Sequence, residues 1–460
     1  VTFVENQKKV LPIKPIGSRF YGVITHGSPK PKSFYKKPIV GRFLFTKLFI
    51  GVVFATAMIA WLPVYASDDK ENLNSISLKE AVNKTLLQHP DLPGYNELIK
   101  GADGYIQQAG VGQRPELSFM LEDAMGTGSY SNIRSTQSTL SLSWLLESEL
   151  LDKRTIIAER EKSSLVIQQE VKRLDIASET ARYYLSALYF QKKKELENDA
   201  VAELERVEKE VSRRVRAGAA PDADRYQAIA NLEEKKLSLH NSSYEIDAAV
   251  KSLASQWGEY EPSFSEVEGV LDLPTKRINF EQLREYLTNH PNIEIFLSDE
   301  RVAKSKAELA KSEAKTQWRF NAGIRRNEAA NDYGLVAGFT IPLGRPDRNA
   351  AQIRALGAEQ AAYRADAEAT RIRMETDLAN YVRSYERYQN SVTSLQEKVI
   401  PSLQRAADEA ENAYKLGKYS FVQWSSVQQD LIQAQETLLN LQFQAHLNRV
   451  EIERLAGVAL

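Results

Sequence analysis

The side chains best suited to chemistry are few in these 460 residues and form no catalytic pattern. Cysteine is absent, and the five histidines are scattered at His26, His89, His240, His290 and His446. That excludes disulfides, thiolate metal sites, a cysteine nucleophile and a lipid-bearing N-terminal Cys. No H-E-x-x-H, G-x-S-x-G or G-x-x-x-x-G-K-[ST] motif occurs, so zinc hydrolysis, serine acyl transfer and P-loop phosphate binding lack their residues. His89 and His290 each stand before a proline, which assigns them to a turn rather than to a metal. With four Met and no Cys there is no soft-metal relay. The reading is a protein that is not an enzyme and carries no cofactor.

One pair of carboxylates is set apart by position. Asp222 and Asp224 follow Gly218 in "RRVRAGAAPDADRYQ", a break in a long run of helical character. They could attract cations, or serve only to stabilise a helix N-terminus. The elements around them decide what they face. Gly218 suits a left-handed helix end, and Pro221-Asp222 suits a helix start. Arg213, Arg214 and Arg216 complement the carbonyl end of the arriving helix. The stretch is expected to be the tip of a helical hairpin.

The chain repeats itself. "NKTLLQHPDL" from Asn83 recurs as "REYLTNHPNI" from Arg284, and "RAGAAPDADRYQAIANLEEKKLSL" from Arg216 recurs as "KLGKYSFVQWSSVQQDLIQAQETL" from Lys415. Gly218 to Gly258 spans 40 positions, as does Gly417 to Gly457. The expected organisation is an extension and leader over 1–66, a first repeat over 67–270 and a second over 271–460. Each repeat reads as helix, β-hairpin (115–146 and 318–343), and a long helical hairpin with its tip near 218 or 417.

"GRFLFTKLFIGVVFATAMIAWLPVYASDDKEN" has basic residues, an apolar run from Leu48 to Trp61 and small residues flanking Tyr65, the pattern of a cleaved secretory leader. The run is short for a membrane anchor, which needs about twenty residues. Residues before about 40 resemble neither domain nor leader. With Val at position 1 and no Met before Met58, they are expected to reflect a start codon assigned too far upstream. The exported chain is expected to have no helical span.

The strands alternate with period two. Leu117, Phe119 and Leu121 oppose Glu116, Ser118 and Glu122; Leu140, Leu142 and Trp144 oppose Thr139, Ser141 and Ser143. Trp318, Phe320, Ala322 and Ile324 oppose Arg319, Asn321 and Arg325, and Tyr333, Leu335, Ala337, Phe339 and Ile341 continue the pattern. A small sheet packed on helices gives the same alternation. The leader favours membrane strands of about nine residues. Four strands cannot close in lipid, so several chains must share one barrel.

Residues 152–216 and 347–416 contain no Pro except Pro401 and Pro346 lies just outside them; they read as rods near 100 Å long at ~1.5 Å per residue. Such rods must pack against other rods.

On these features the chain resembles the TolC-type outer-membrane efflux proteins over most of 77–460. The residues that carry it are the repeated His-Pro element, the paired hairpins, "FTIPLGRPDRNAAQIRA" and "AYKLGKYSFVQWSSVQQDLIQAQ" with its terminal Leu455-Ala456-Gly457. Within the family it looks closest to the outer-membrane subunits of cobalt–zinc–cadmium-type cation exporters. The resemblance implies a mainly α protein with a β-barrel portion: a homotrimer with a shared twelve-stranded barrel in outer-membrane lipid and a helical tunnel across the periplasm. It implies as partners a periplasmic adaptor (membrane fusion) protein and an inner-membrane transporter of the resistance-nodulation-division type. The tips, with Arg216, Gly218, Ala219, Leu416, Gly417 and Lys418, would meet the adaptor. Acidic rings close such tunnels in some members. Asp224 fits that pattern, with Asp222 beside it, but the second repeat has Gln423 and Ser426 where some members carry aspartate, so a cation-selective constriction rests on the first repeat.

The 60 Lys and Arg against 61 Asp and Glu give no electrostatic case for nucleic acid. A conduit for metal ions, a conduit for multidrug efflux and a conduit for type I protein secretion all fit the residues. A periplasmic coiled-coil scaffold without a pore fits less well, because it has no use for alternating strands.

Overall fold

The computed structural model describes residues 75–274, 277–345 and 347–457. The leader and the first 40 residues lie outside them. The chain enters as β1 (Ser75–Ile76), followed by α1 (Leu78–Gln88) and α2 (Leu92–Ala109). Ser77 and Glu80 close a reciprocal capping box at the start of α1. The break between the two helices falls at His89-Pro90, where proline cannot continue the ladder. A hairpin of β2 (Glu116–Glu122) and β3 (Gln137–Leu146) leads into α3 (Ser148–Arg216) and, after the turn, α4 (Asp222–Ser255). The 69 residues of α3 make a rod of roughly 100 Å.

β4 (Glu266–Val267) then pairs in parallel with β1, and the order recurs. It comprises α5 (Phe280–Tyr286), a 3-10 turn, α6 (Pro291–Glu313), β5 (Trp318–Asn327) and β6 (Asp332–Thr340). The second rod is α7 (Ala350–Ser394), a π turn at Leu395–Val399 and α8 (Ile400–Lys415), and α9 (Phe421–Ala456) returns. The rod expected over 347–416 runs from Ala350 to Lys415 and carries one π turn just ahead of Pro401. Pro401 has no N–H to give, and its ring crowds the carbonyl four residues back, so the ladder widens to an i−5 bond from the Ile400 amide to the Leu395 carbonyl.

The four longer strands form one antiparallel sheet in the order β2-β3-β5-β6. Beneath it the helices lie side by side in the matching order, α2 by α3, α3 by α6, α6 by α7. Farther from the sheet, α4 packs on α3, α3 on α9 and α9 on α8. Strands and helices therefore form one continuous layer. A single layer has no central core, and the buried clusters gather at the waist and at the tips. At the waist, Leu253, Ala254 and Trp257 pack with Tyr184 and Leu188, and Leu378 and Tyr385 pack with Leu287 and Ile452. Tyr184 ties the waist together by donating to the carbonyls of Glu268 and Ile76. Full burial of one such Leu stabilises by about 1.5–3 kcal/mol.

Candidate functional site

The sheet register sorts its side chains by chemistry. One face carries the rows Phe119–Leu140–Ile324–Leu335 and Leu117–Leu142–Ala322–Ala337. Trp144, Trp318, Phe320 and Phe339 stack on the same face near the helical end, with ring centroids 5.4 to 6.2 Å apart. The other face carries Ser118–Ser141–Gly323 and Glu116–Ser143–Asn321. There Ser118 and Ser141 share a 2.8 Å hydrogen bond, and Arg319 and Arg325 pair with Glu116 and Glu122 at 3.2 and 3.1 Å. The apolar face is bare in the single chain, with Leu335 89% exposed. Apolar residues outward and satisfied polar residues inward are the pattern of a membrane barrel wall with an aromatic girdle. Gly323 is required by packing, since a Cβ there would lie 2.5 Å from the Leu140 carbonyl oxygen. No helix among the described residues is long and apolar enough to cross a membrane.

Below the sheet, α2, α3, α6 and α7 all line one groove of about 410 Å³, including Tyr105, Glu161, Gln168, Asp299, Lys306 and Tyr363. Lys306 and Glu161 pair across it at 2.9 Å.

Both hairpin tips come to the far end of the layer and lie against each other. Each closes with the same pair of bonds. Gly218 N–H donates to Val215 O and Ala219 N–H to Arg214 O; Gly417 N–H donates to Tyr414 O and Lys418 N–H to Ala413 O, all at 2.9 Å. Both glycines have φ of +72°, the Schellman geometry that glycine adopts without a Cβ penalty. Arg216, Ala219, Leu416 and Lys418 are exposed around these turns.

Behind the turns, Val207, Val211, Ala228, Tyr414, Phe421 and Trp424 form one cluster drawn from both repeats. Arg214 reaches across it. Its guanidinium sits 4.8 Å from the Tyr414 ring, and Nη1 donates to the Lys415 carbonyl at 2.7 Å. Arg214 thus caps the other repeat's helix rather than only its own, while Arg213 pairs locally with Glu210 at 2.7 Å. One layer deeper, Arg206 of α3 and Lys415 both hold Glu411 of α8, and these cations keep its carboxyl down at about 2. Sequence reading missed both contacts. The available signal was the grouping of aromatic residues on both sides of the second tip, at Tyr414, Phe421 and Trp424.

Of the four candidate constriction residues, Asp222 is exposed and pairs with Arg225 at 3.2 Å. Asp224 is half-buried, and burial raises its carboxyl above the ordinary value. It lies near enough to Tyr414 that burial and then its charge push that hydroxyl up. Gln423 is engaged in a capping box with Ser420, whose amide donates to its Oε1 at 2.9 Å. Ser426 is exposed. The structure brings all four to the same end of the layer.

His89 and His290 serve turns. His89 Nδ1 accepts from the Asp91 amide at 3.1 Å, and His290 Nδ1 accepts from the Asn292 amide at 3.2 Å. His290 also reaches the Arg454 carbonyl at 3.2 Å, and His446 the Leu271 carbonyl at 3.1 Å. Burial lowers both of these imidazoles below the ordinary value. Among the described residues no group of three or more His, Asp or Glu could hold a metal ion.

Comparison with known proteins follows this geometry. Residues 81–259 match the outer membrane efflux protein family. The cobalt-zinc-cadmium resistance protein CzcC of Cupriavidus metallidurans is 25% identical over 439 residues, covering 90% of this chain and 100% of that protein. The crystal structure of CusC superimposes with a TM-score of 0.68 at 15% identity, over 83% of this chain and 92% of that one. The outer membrane protein VceC of Vibrio cholerae gives 0.67 at 17% identity, over 83% and 96%. The two structures share this chain's fold, long helical hairpins below a four-stranded sheet. The family match over 81–259 and the shared fold agree with the resemblance to TolC-type outer-membrane efflux proteins.

Proposed function

We propose that three copies of this chain form one passive exit duct for heavy-metal cations, fed by an inner-membrane pump of the resistance-nodulation-division type through a periplasmic adaptor. The observation that carries the reading is the two-faced sheet. Among the described residues, β2 and β6 have no further strand beside them. An unpaired edge in lipid costs several kcal/mol for each bare backbone group. Because the order is antiparallel throughout, β6 of one copy runs antiparallel to β2 of the next, so edges of identical chains can close on each other. Eight strands would leave an interior filled by side chains. Three copies give twelve strands and an open lumen lined by the serine, asparagine and paired arginine face.

The repeats over 67–270 and 271–460 then each supply one hairpin to the barrel and one to the tunnel. The groove shared by α2, α3, α6 and α7 is this chain's share of the tunnel wall. Arg216, Gly218, Ala219, Leu416, Gly417 and Lys418 form the rim that meets the adaptor. Asp222 and Asp224 supply the negative charge at the entrance. Gln423 and Ser426 contribute none, so each protomer adds its carboxylates from the first repeat only. CzcC, by its name a cobalt, zinc and cadmium resistance protein, supports the choice of metal cations as cargo.

The test is growth of a deletion strain on zinc, cadmium, cobalt, nickel, copper and silver, with dyes, detergents and antibiotics alongside. Sensitivity confined to divalent metals, restored by the wild-type chain and poorly by Asp222→Ala/Asp224→Ala, is expected. Sensitivity to organic compounds alone would move the reading to multidrug efflux. Metal tolerance unchanged with a protein missing from the medium would move it to type I secretion.

A further inference from the structure

The end of the sheet away from the helices carries a groove that the duct does not use. There the loop between β2 and β3 turns back through a 3-10 turn at Ile133–Ser135. Its own bonds hold it: Gly126 N–H donates to Tyr130 O, Ser135 Oγ to Ser129 O at 2.6 Å, and Gln137 Nε2 to Asp123 Oδ2 at 3.1 Å. Glu328 N–H, from the turn between β5 and β6, donates to Thr136 O at 3.0 Å and ties the two turns together. Between them lies a groove of about 720 Å³, lined by Ile133, Arg134, Thr136, Ser138 and Glu328 among others.

The register sets the height and the side of this groove. Thr136 and Ser138 alternate with Gln137, which places them on the apolar face of the sheet. Ser138 stands in the row Leu121–Ser138–Arg326–Tyr333. That row is two residues, or about 7 Å, beyond the apolar row Phe119–Leu140–Ile324–Leu335. On this face the surface changes here from hydrocarbon to charge.

Two groups at the groove lack partners. Arg326 is answered by Glu328 at 2.9 Å and Asn331 at 2.7 Å, and its guanidinium sits 4.9 Å from the Tyr333 ring. Arg134 is exposed and has no ion-pair partner among the described residues, so these three charged groups leave one positive charge in excess. Thr136 is only 6% exposed, and its hydroxyl has no hydrogen-bond partner among the described residues. A buried hydroxyl without a partner is destabilising. A polar partner from outside the chain accounts for both groups at once.

We propose that this groove binds the phosphate of an outer-leaflet lipid of the lipid A class. Arg134 forms a charge-assisted pair with the phosphate. The Thr136 and Ser138 hydroxyls donate to its oxygens, and the acyl chains run down over Ile133 and the Leu140 row. The inference rests on the barrel wall proposed above, which puts this end of the sheet at the outer face of the membrane. Charge and height choose the occupant. A free anion would match Arg134 but leave Ile133, 66% exposed, and the adjoining apolar row uncovered.

The test uses full-length protein purified in a non-ionic detergent and titrated with lipid A, with dephosphorylated lipid A and inorganic phosphate alongside, binding being read by native mass spectrometry. Lipid A is expected to bind more tightly than either comparator. Arg134→Ala and Thr136→Val should each weaken it by about tenfold, the loss of one bond to a charged group. Arg134→Lys, which keeps the charge, should retain most of the affinity. Without lipid, Thr136→Val should melt no lower than wild type; a lower melting temperature would give the hydroxyl a partner within the chain and overturn its role here. Equal lipid A affinity in wild type, Arg134→Ala and Thr136→Val, in protein that inserts into lipid vesicles, overturns the site and leaves the barrel wall standing. Inorganic phosphate bound as tightly as lipid A overturns the lipid assignment, and dephosphorylated lipid A bound as tightly overturns the phosphate. A chain that stays out of lipid vesicles overturns both this site and the barrel.

Discussion

Arg214 links the two tips through two contacts, a stack on the Tyr414 ring and a bond to the Lys415 carbonyl. Together these are worth about 1–2 kcal/mol at a partly exposed site. Arg214→Ala is therefore expected to loosen the tip pair and admit a bulky antibiotic that the closed duct excludes, a change read as increased sensitivity of cells carrying the variant; unchanged sensitivity would remove Arg214 from the closure. The buried histidines predict a pH dependence of a definite sign. His290 and His446 are bases whose folded values are lowered by burial, so the unfolded chain binds more protons below about 6.5. Their contribution to stability is full above that pH and is lost as pH falls below it. Glu411, held at about 2, keeps its contribution until far lower pH. The melting temperature is thus expected to drop between pH 7 and 5, and His290→Asn, which keeps an acceptor for the helix-capping bond, should reduce that drop. The turn role of His290 was legible from its recurrence before proline. Its contact with Arg454 was not, because it joins positions 164 residues apart.

The glycine turns were legible at the scale of elements because two copies place them at the same offset and each is followed by a helix start. Their positive φ makes the prediction definite. Gly218→Ala and Gly417→Ala are each expected to destabilise by about 1 kcal/mol, since L-residues pay roughly that to enter the left-handed region. At Gly218 the cost is purely conformational, because a Cβ there meets nothing within 4 Å. Thermal melts of both variants check it, and a stabilised Gly218→Ala would contradict the turn geometry. The π turn before Pro401 was not legible in the same way. Proline marks where a helix is stressed, but whether it kinks, breaks or widens depends on the packing of α9 beside it, which no local pattern records.

For the whole molecule, alternation showed which residues share a face of each strand, and the leader expected from the sequence, outside the described residues, favoured lipid outside. The register between hairpins, and so the continuous rows Phe119–Leu140–Ile324–Leu335 and Ser118–Ser141–Gly323, came only with the sheet. Those rows predict opposite responses to one substitution. Leu335→Arg, on the apolar face, is expected to cost about 2–4 kcal/mol near the membrane midplane and to lower outer-membrane abundance. Ser141→Asn, on the polar face, should leave it unchanged; equal effects of the two would contradict the assignment of faces. The central claim is that these faces enclose a water-filled path closed at the tips. Its most direct test is the electrical conductance of the purified protein in a planar lipid bilayer, for wild type and for Arg214→Ala. The account predicts discrete conductance steps in both, larger or more frequent in the variant. A membrane-inserted protein that conducts in neither form would contradict it.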